Sequence, residues 1–289
     1  MSETEIVAWN GLRLPVPTDW RPVRLGLGHL FFEDDDGPAF ELKWRAGAGR
    51  GGMEAALKAL APKVRTEAGG ELPRSWRDAL ADFECRPLSW SRDGRTGLGA
   101  ALFCPECGLA AVFQAYGGPG GPNPAGQAAV AAALAGMRHY DPGPPAFALY
   151  GLRFEAPPGF ALAGFGFAPG RFSLDFAAPG RRLDVVRLAP ADVLLAGASL
   201  ADAAARTFGL QDGVVREEGD LAGCPAVWLA RRQGTGLADV LARRLGRSGT
   251  LAVLRHDPGV NKLLGAALTA ASPVDRDWLA QAAARCVSR

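Results

Sequence analysis

Gly11-Leu12-Arg13-Leu14-Pro15-Val16-Pro17-Thr18-Asp19-Trp20 returns further along the chain as Gly151-Leu152-Arg153-Phe154-Glu155-Ala156-Pro157-Pro158-Gly159-Phe160. Both stretches alternate apolar residues after a glycine and end on a proline-rich segment and an aromatic, the pattern of an opening strand. Further segments recur in the same order. Phe40-Glu41-Leu42-Lys43-Trp44 aligns with Leu183 to Arg187, and the spacing Met53, Leu57, Leu60, Val64 with Leu200, Ala204, Phe208. Thr96-Gly97-Leu98 aligns with Thr235-Gly236-Leu237, and Cys85 before Trp90 with Cys224 before Trp228. Gly108 to Phe113 aligns with Gly249 to Leu254, and the cap-proline pair Asn123-Pro124 with Ser272-Pro273. A repeat of this length is read before anything else, because it sets the architecture.

The repeat predicts a tandem duplication of an α+β unit: two similar domains, 1-141 and 146-289, each an antiparallel β-sheet with helices packed on it. The link is Asp141-Pro142-Gly143-Pro144-Pro145, whose prolines and glycine break regular structure. Within each half the expected order is a short strand or two, a hairpin, a helix, a three-strand meander and a terminal helix. The 289 residues divide into two lengths of ordinary domain size.

Composition excludes several classes. With 48% hydrophobic and 21% charged residues the chain is not disordered, and a net charge of +2 gives no electrostatic footprint for nucleic acid. Arginine far outnumbers lysine, which the coding bias of a GC-rich genome accounts for as well as a binding role would. The first half is net acidic and the second net basic, with Arg231-Arg232 and Arg243-Arg244-Leu245-Gly246-Arg247 in the second. That asymmetry would complement an acidic partner, or the other half as an intrachain pseudo-dimer. The segment Met1 to Trp9 lacks a signal-peptide pattern and no apolar run approaches membrane-spanning length, so a cytoplasmic protein is expected.

The order of elements resembles the PsbP-like superfamily. The marks are the opening strand, Gly11 to Trp20 and Gly151 to Phe160, and the turn Gly223-Cys224-Pro225-Ala226, degraded in the first half to Glu84-Cys85-Arg86-Pro87. This resemblance implies a non-enzymatic accessory role with a protein partner, as in Eag-type chaperones of type VI secretion. No client-binding residue transfers from it.

One segment carries candidate chemistry. Phe103-Cys104-Pro105-Glu106-Cys107-Gly108 lies between two expected strands, so Cys104 and Cys107 bracket a hairpin turn, and Cys-Pro-x-Cys-Gly is similar to half of a rubredoxin or zinc-ribbon site. Pairing about the Asp93-Gly94 turn sets Cys85 opposite residues 102 to 104, so Cys85, Cys104 and Cys107 are the candidate metal ligands. The fourth would be His29, His139, Asp82, Glu84 or a donor from another chain. Cys224 in the place of Cys85 weakens the three-sulfur reading. Zinc, a redox thiol pair and free thiols all stand as alternatives.

Other motifs carry less. Gly47-Ala48-Gly49-Arg50-Gly51-Gly52, with Glu71 beyond, fits a dinucleotide fingerprint by spacing, but the charged strand before it does not suit a buried parallel sheet. A nucleotide-dependent enzyme is therefore the third reading of function. Glu33-Asp34-Asp35-Asp36-Gly37 reads as a solvated hairpin tip, since calcium loops alternate their ligands. No nucleophile elbow is present and the three histidines are scattered. Trp20, Trp44, Trp90 and Trp228 read as core, while Trp9 and Trp76 are expected to be exposed partner anchors.

Overall fold

The computed structural model describes residues 3–60, 71–92, 94–118, 121–139, 144–211, 214–231, 249–271 and 273–288. The chain divides into two compact units, Met1–Pro142 and Gly143–Arg289.

Unit 1 starts with β1 (Thr4–Trp9) and β2 (Leu12–Pro17), joined through Asn10 and Gly11, both at positive φ. That backbone is the two-residue hairpin turn that matches strand twist, and Asn-Gly is its preferred sequence. Next come β3 (Arg21–Gly26), β4 (His29–Asp34), β5 (Gly37–Arg45), α1 (Gly49–Leu60), α2 (Arg74–Ala79), β6 (Glu84–Arg92), β7 (Arg95–Phe103), β8 (Ala110–Gly117), α3 (Pro124–Ala135) and β9 (Arg138–His139). The main sheet is antiparallel, in the order β3-β4-β5-β8-β7-β6. A small sheet sets β2 between β1 and β9.

One face of the main sheet buries Phe32, Phe40, Leu42 and Phe113, with Trp20 stacked on Phe40 at 5.5 Å and Trp76 of α2 edge-on to Phe113 at 5.7 Å. On the other face Met53 of α1 packs with Leu88, Ala101, Phe103, Ala110 and Val112. Asn123 caps α3, its side chain accepting the Gly126 N–H at 2.7 Å.

Unit 2 holds β10 (Ala146–Leu149), β11 (Leu152–Glu155), β12 (Ala161–Ala168), β13 (Arg171–Ala178), β14 (Arg181–Leu188), α4 (Ala191–Leu195), α5 (Leu200–Phe208), β15 (Val214–Leu221), β16 (Cys224–Arg231), β17 (Gly249–Asp257), β18 (Lys262–Ala270), α6 (Arg276–Ala284) and β19 (Val287–Ser288). Its main sheet runs β12-β13-β14-β18-β17-β16-β15, and β11 lies between β10 and β19. The order repeats that of unit 1 with one added edge strand, β15. Three alanines of α5, Ala203, Ala204 and Ala205, pack on Val186, Leu229, Leu254 and Leu263, and α6 lies on the other face against β17 and β18. Asp275, rather than Ser272, caps α6 by accepting the Asp277 and Trp278 N–H groups. Ser272 lies outside the described residues.

The expected α+β class, with helices covering each sheet, is corrected. Among the described residues strand outweighs helix, 53% against 20%, and the architecture is mostly antiparallel β. The physical reason lies in turns. Asn10-Gly11, Tyr150-Gly151 and Ala222-Gly223 each place two successive residues at positive φ, closing hairpins that make strands of segments without helical period. Two of the described helices, α4 and α2, have only five and six residues.

Matching Glu41 with Asp184 on the central strands fixes an equivalence through the ladder. Glu41 pairs with Gln114 and Gln114 with Gly99, as Asp184 pairs with Ala267 and Ala267 with Ala252. Cys104 and Leu109 then fall on Asp257 and Lys262, so the loop Pro105-Glu106-Cys107-Gly108 matches Pro258-Gly259-Val260-Asn261 in length. Gly108 and Asn261 both have positive φ. This corrects the sequence alignment of Gly108 with Gly249, because Gly249 opens β17, the counterpart of β7. Thr235 to Leu237 and Arg243 to Arg247 lie outside the described residues. No described helix is long and apolar enough to cross a membrane.

Candidate functional sites

The hairpin between β7 and β8 is held by Cys104 N–H to Leu109 O (2.9 Å) and Gly108 N–H to Cys104 O (2.9 Å). Gly108 at φ +74 turns the chain where a Cβ would be strained. Both sulfurs project from this turn toward one further residue. Cys104, Cys107 and His139 each place a donor atom within 4.8 Å of the others, and Cys107 Sγ lies 3.3 Å from His139 Nδ1. His139 is fixed by pairing of β9 with Leu12 of β2 and by its ring against Phe83, 5.1 Å between centroids. Cys104 is buried, while Cys107 and His139 are half-buried. Burial pushes the Cys107 thiol up and neighbouring Cys104 adds to this, against a hydrogen bond from the Leu109 backbone to the Cys107 sulfur. All five cysteines are free thiols.

The structure thus brings together two of the three expected sulfurs with one of the suggested extra donors. Cys85 pairs with Leu102 and lies outside the group; burial raises its thiol pKa. Its counterpart by register is Ala226, opposite Arg255, and not Cys224. Glu84 forms an ion pair with Arg50, and His29 is engaged elsewhere.

His29 belongs to a network that sequence reading missed. The alternation in Ala39 to Trp44 puts Glu41 on a face expected to be wet, yet Glu41 is buried among polar partners. Its Oε1 meets His29 Nε2 at 2.8 Å and Lys43 Nζ at 2.7 Å, and its Oε2 accepts from Tyr116 OH at 2.7 Å and Gln114 Nε2 at 3.4 Å. Gln114 Oε1 accepts from Trp90 Nε1 at 2.6 Å, the indole lying over Gly97, where a Cβ would stand 2.2 Å from that nitrogen. Burial alone would raise the Glu41 pKa; hydrogen bonds from His29, Lys43 and Tyr116, with the Lys43 charge, bring it instead to about 2. All of this carboxylate's bonding is spent inside the protein, so the arrangement is a structural brace.

The remaining candidates resolve plainly. Asp34 to Asp36 form the β4–β5 turn, where Asp34 accepts the Asp36 N–H and Asp35 pairs with Arg21. The glycine-rich Gly47 to Gly52 leads from an antiparallel strand into α1, so the doubly covered parallel sheet of a dinucleotide fold is absent there. Trp9 and Trp76 are fully buried, which corrects the expectation of exposed anchors. Each is drawn in by its indole N–H, Trp9 donating to Gly26 O at 2.7 Å and Trp76 to Gln127 O at 2.9 Å.

A different apolar surface is exposed. Of the four outer strands of the main sheets, β3 carries Arg21, Pro22 and Arg24, β6 carries Glu84, Arg86 and Pro87, and β15 carries Arg216, Glu217, Glu218 and Asp220. The outer strand β12, Ala161-Leu162-Ala163-Gly164-Phe165-Gly166-Phe167-Ala168, has no charge and no proline. A bulge at Leu162/Gly164 precedes a regular stretch through Ala168. Phe167 is 60% exposed and stacks on Tyr150 at 4.4 Å. The turn after β12 bonds to Ala189, just ahead of α4, whose Val193 is 65% exposed.

No family model matches the chain, and no curated protein matches it. Among solved structures, the immunity protein TplEi of T6SS from Pseudomonas aeruginosa aligns over 99% of this chain and 97% of its own at 13% identity, with a TM-score of 0.35. A protein from Bacteroides thetaiotaomicron aligns over 55% of this chain and 56% of its own, also at 13% identity, with a TM-score of 0.34. Similarity at this level assigns neither family nor function.

Proposed function

We propose that the chain is a non-enzymatic accessory protein, an adaptor or chaperone, that binds a protein partner through the outer edge of β12. The observation that carries this reading is the contrast among the four outer strands. Unpaired strand edges invite pairing, and proteins guard them with charge, proline or bulges. The other three outer strands each carry charged residues, and β3 and β6 a proline as well, whereas β12 has neither and beyond its bulge presents apolar side chains and Phe167 at the surface. An extended segment of a partner adding to this edge would gain main-chain hydrogen bonds, with Phe167 as an aromatic anchor. The buried pair of Glu41 and His29 is a brace, its hydrogen bonds spent inside the protein.

The test is site-specific photo-crosslinking in the native host, with the crosslinker at Phe167 on β12 and, as control, at Val23 on β3. A defined partner crosslinked at 167 and absent at 23, and lost in Phe167→Lys protein, is the expected result. Phe167→Lys gives up the stacking on Tyr150 and should cost about 0.5–1.5 kcal/mol, too little to unfold the unit. Absence of a crosslink at 167, or equal labelling at 23, would overturn the proposal.

A further inference from the structure

We infer that Cys104, Cys107 and His139 form a zinc-binding site that ties the β7–β8 hairpin to strand β9 of unit 1. Two thiolates and an imidazole form a borderline-soft donor set suited to Zn2+, and one donor atom from each already lies within 4.8 Å of the others. With three protein donors, a tetrahedral ion takes its fourth from water or a solute.

Unit 2 supplies an independent observation. Its β17–β18 hairpin has the same loop length, a proline at the same place and a positive-φ residue at the same place, but Asp257 and Val260 stand where unit 1 has Cys104 and Cys107. Ser288 stands where unit 1 has His139, since β19 pairs Ser288 with Leu152 as β9 pairs His139 with Leu12. There the hairpin is joined to the terminal strand by Lys262 Nζ to Ser288 Oγ at 2.6 Å, with Ser288 Oγ donating onward to Gly151 O at 2.7 Å. The turn therefore forms without cysteine, and the same joint closes without histidine. Unit 1 gathers three ligand-type side chains at the place where unit 2 has a polar link, which turn geometry alone does not require.

Unit 2 supplies the replacement side chains for the test. Full-length protein is reduced, stripped of metal and titrated with Co2+ and then Zn2+, following thiolate-to-cobalt charge-transfer absorption and the melting temperature. Wild type should bind one equivalent and melt higher with metal. Cys107→Val and His139→Ser, each installing the unit 2 residue, should weaken binding by more than the ~10–100-fold that loss of an outer-shell contact costs. Both should keep the wild-type far-ultraviolet circular dichroism. Cys85→Ala, also the unit 2 residue, should bind as wild type does. Reduced wild-type protein that takes up no metal would overturn the site, as would binding lost in Cys85→Ala but kept in His139→Ser.

Discussion

Trp76→Ala is expected to cost unit 1 about 3–5 kcal/mol, the range for removing a fully buried large aromatic. The indole is wholly enclosed, its edge against Phe113 and its N–H bonded to Gln127 O of α3. It is the buried residue of α2, a helix of six residues too short to persist without tertiary anchoring. Truncation removes the packing and leaves the Gln127 carbonyl without this donor. Two-unit chains need not unfold in one step, so the readout is urea-dependent amide exchange at Phe113 and Ala115 of β8. Protection at those amides reduced by less than about 1 kcal/mol would show that α2 is not held by this side chain.

Glu41→Gln should weaken unit 1 by about 2–3 kcal/mol at neutral pH, from a downward pKa shift valued at about 1.4 kcal/mol per unit and discounted for half-exposed Lys43. The folded value, about 2, lies below the 4.5 of an ordinary glutamate. The contribution is therefore complete above about pH 4.5 and is lost as pH falls toward 2. The groups that set it come from three strands: His29 on β4, Lys43 on β5 and Tyr116 on β8, with Gln114 also on β8. Wild type and Glu41→Gln should converge in stability as the solution is acidified, a comparison made by urea titration at stepped pH. Parallel curves across that range would place the brace elsewhere.

What sequence could reveal follows from which features are local. The opening strands β2 and β11 were legible because their apolar alternation and the glycine before it lie within a few residues of one another. The Cys104–Cys107 turn was legible for the same reason, whereas His139 stood only as one of several suggested further donors. His139 reaches it through the two-residue strand β9, too short to leave a pattern. Trp9 and Trp76 were misjudged because burial of an aromatic is set by distant partners, Gly26 and Gln127. The meander alignment slipped because Ala100 to Phe103, Ala110 to Phe113 and Leu251 to Leu254 are apolar without alternation, so several registers score alike. Glu41 was hidden for the converse reason: an alternating charge looks solvated until Tyr116, far along the chain, covers it.

The central seam of unit 1 has a consequence in time. Its hairpins β3–β4–β5 and β6–β7–β8 are local, but the main sheet closes only when Phe40 finds Ala115 and Leu42 finds Phe113. Unit 2 has the same seam, Leu183 with Leu268. Pairings so distant along the chain wait for loop closure and slow folding. In that interval β5 and β8 are unprotected edges carrying Phe40, Leu42 and Phe113, a surface on which two incomplete molecules can pair with each other instead. Recovery of native protein after dilution from denaturant should therefore fall as chain concentration rises, and the half-made sheet, rather than the finished one, is the species that sets the yield.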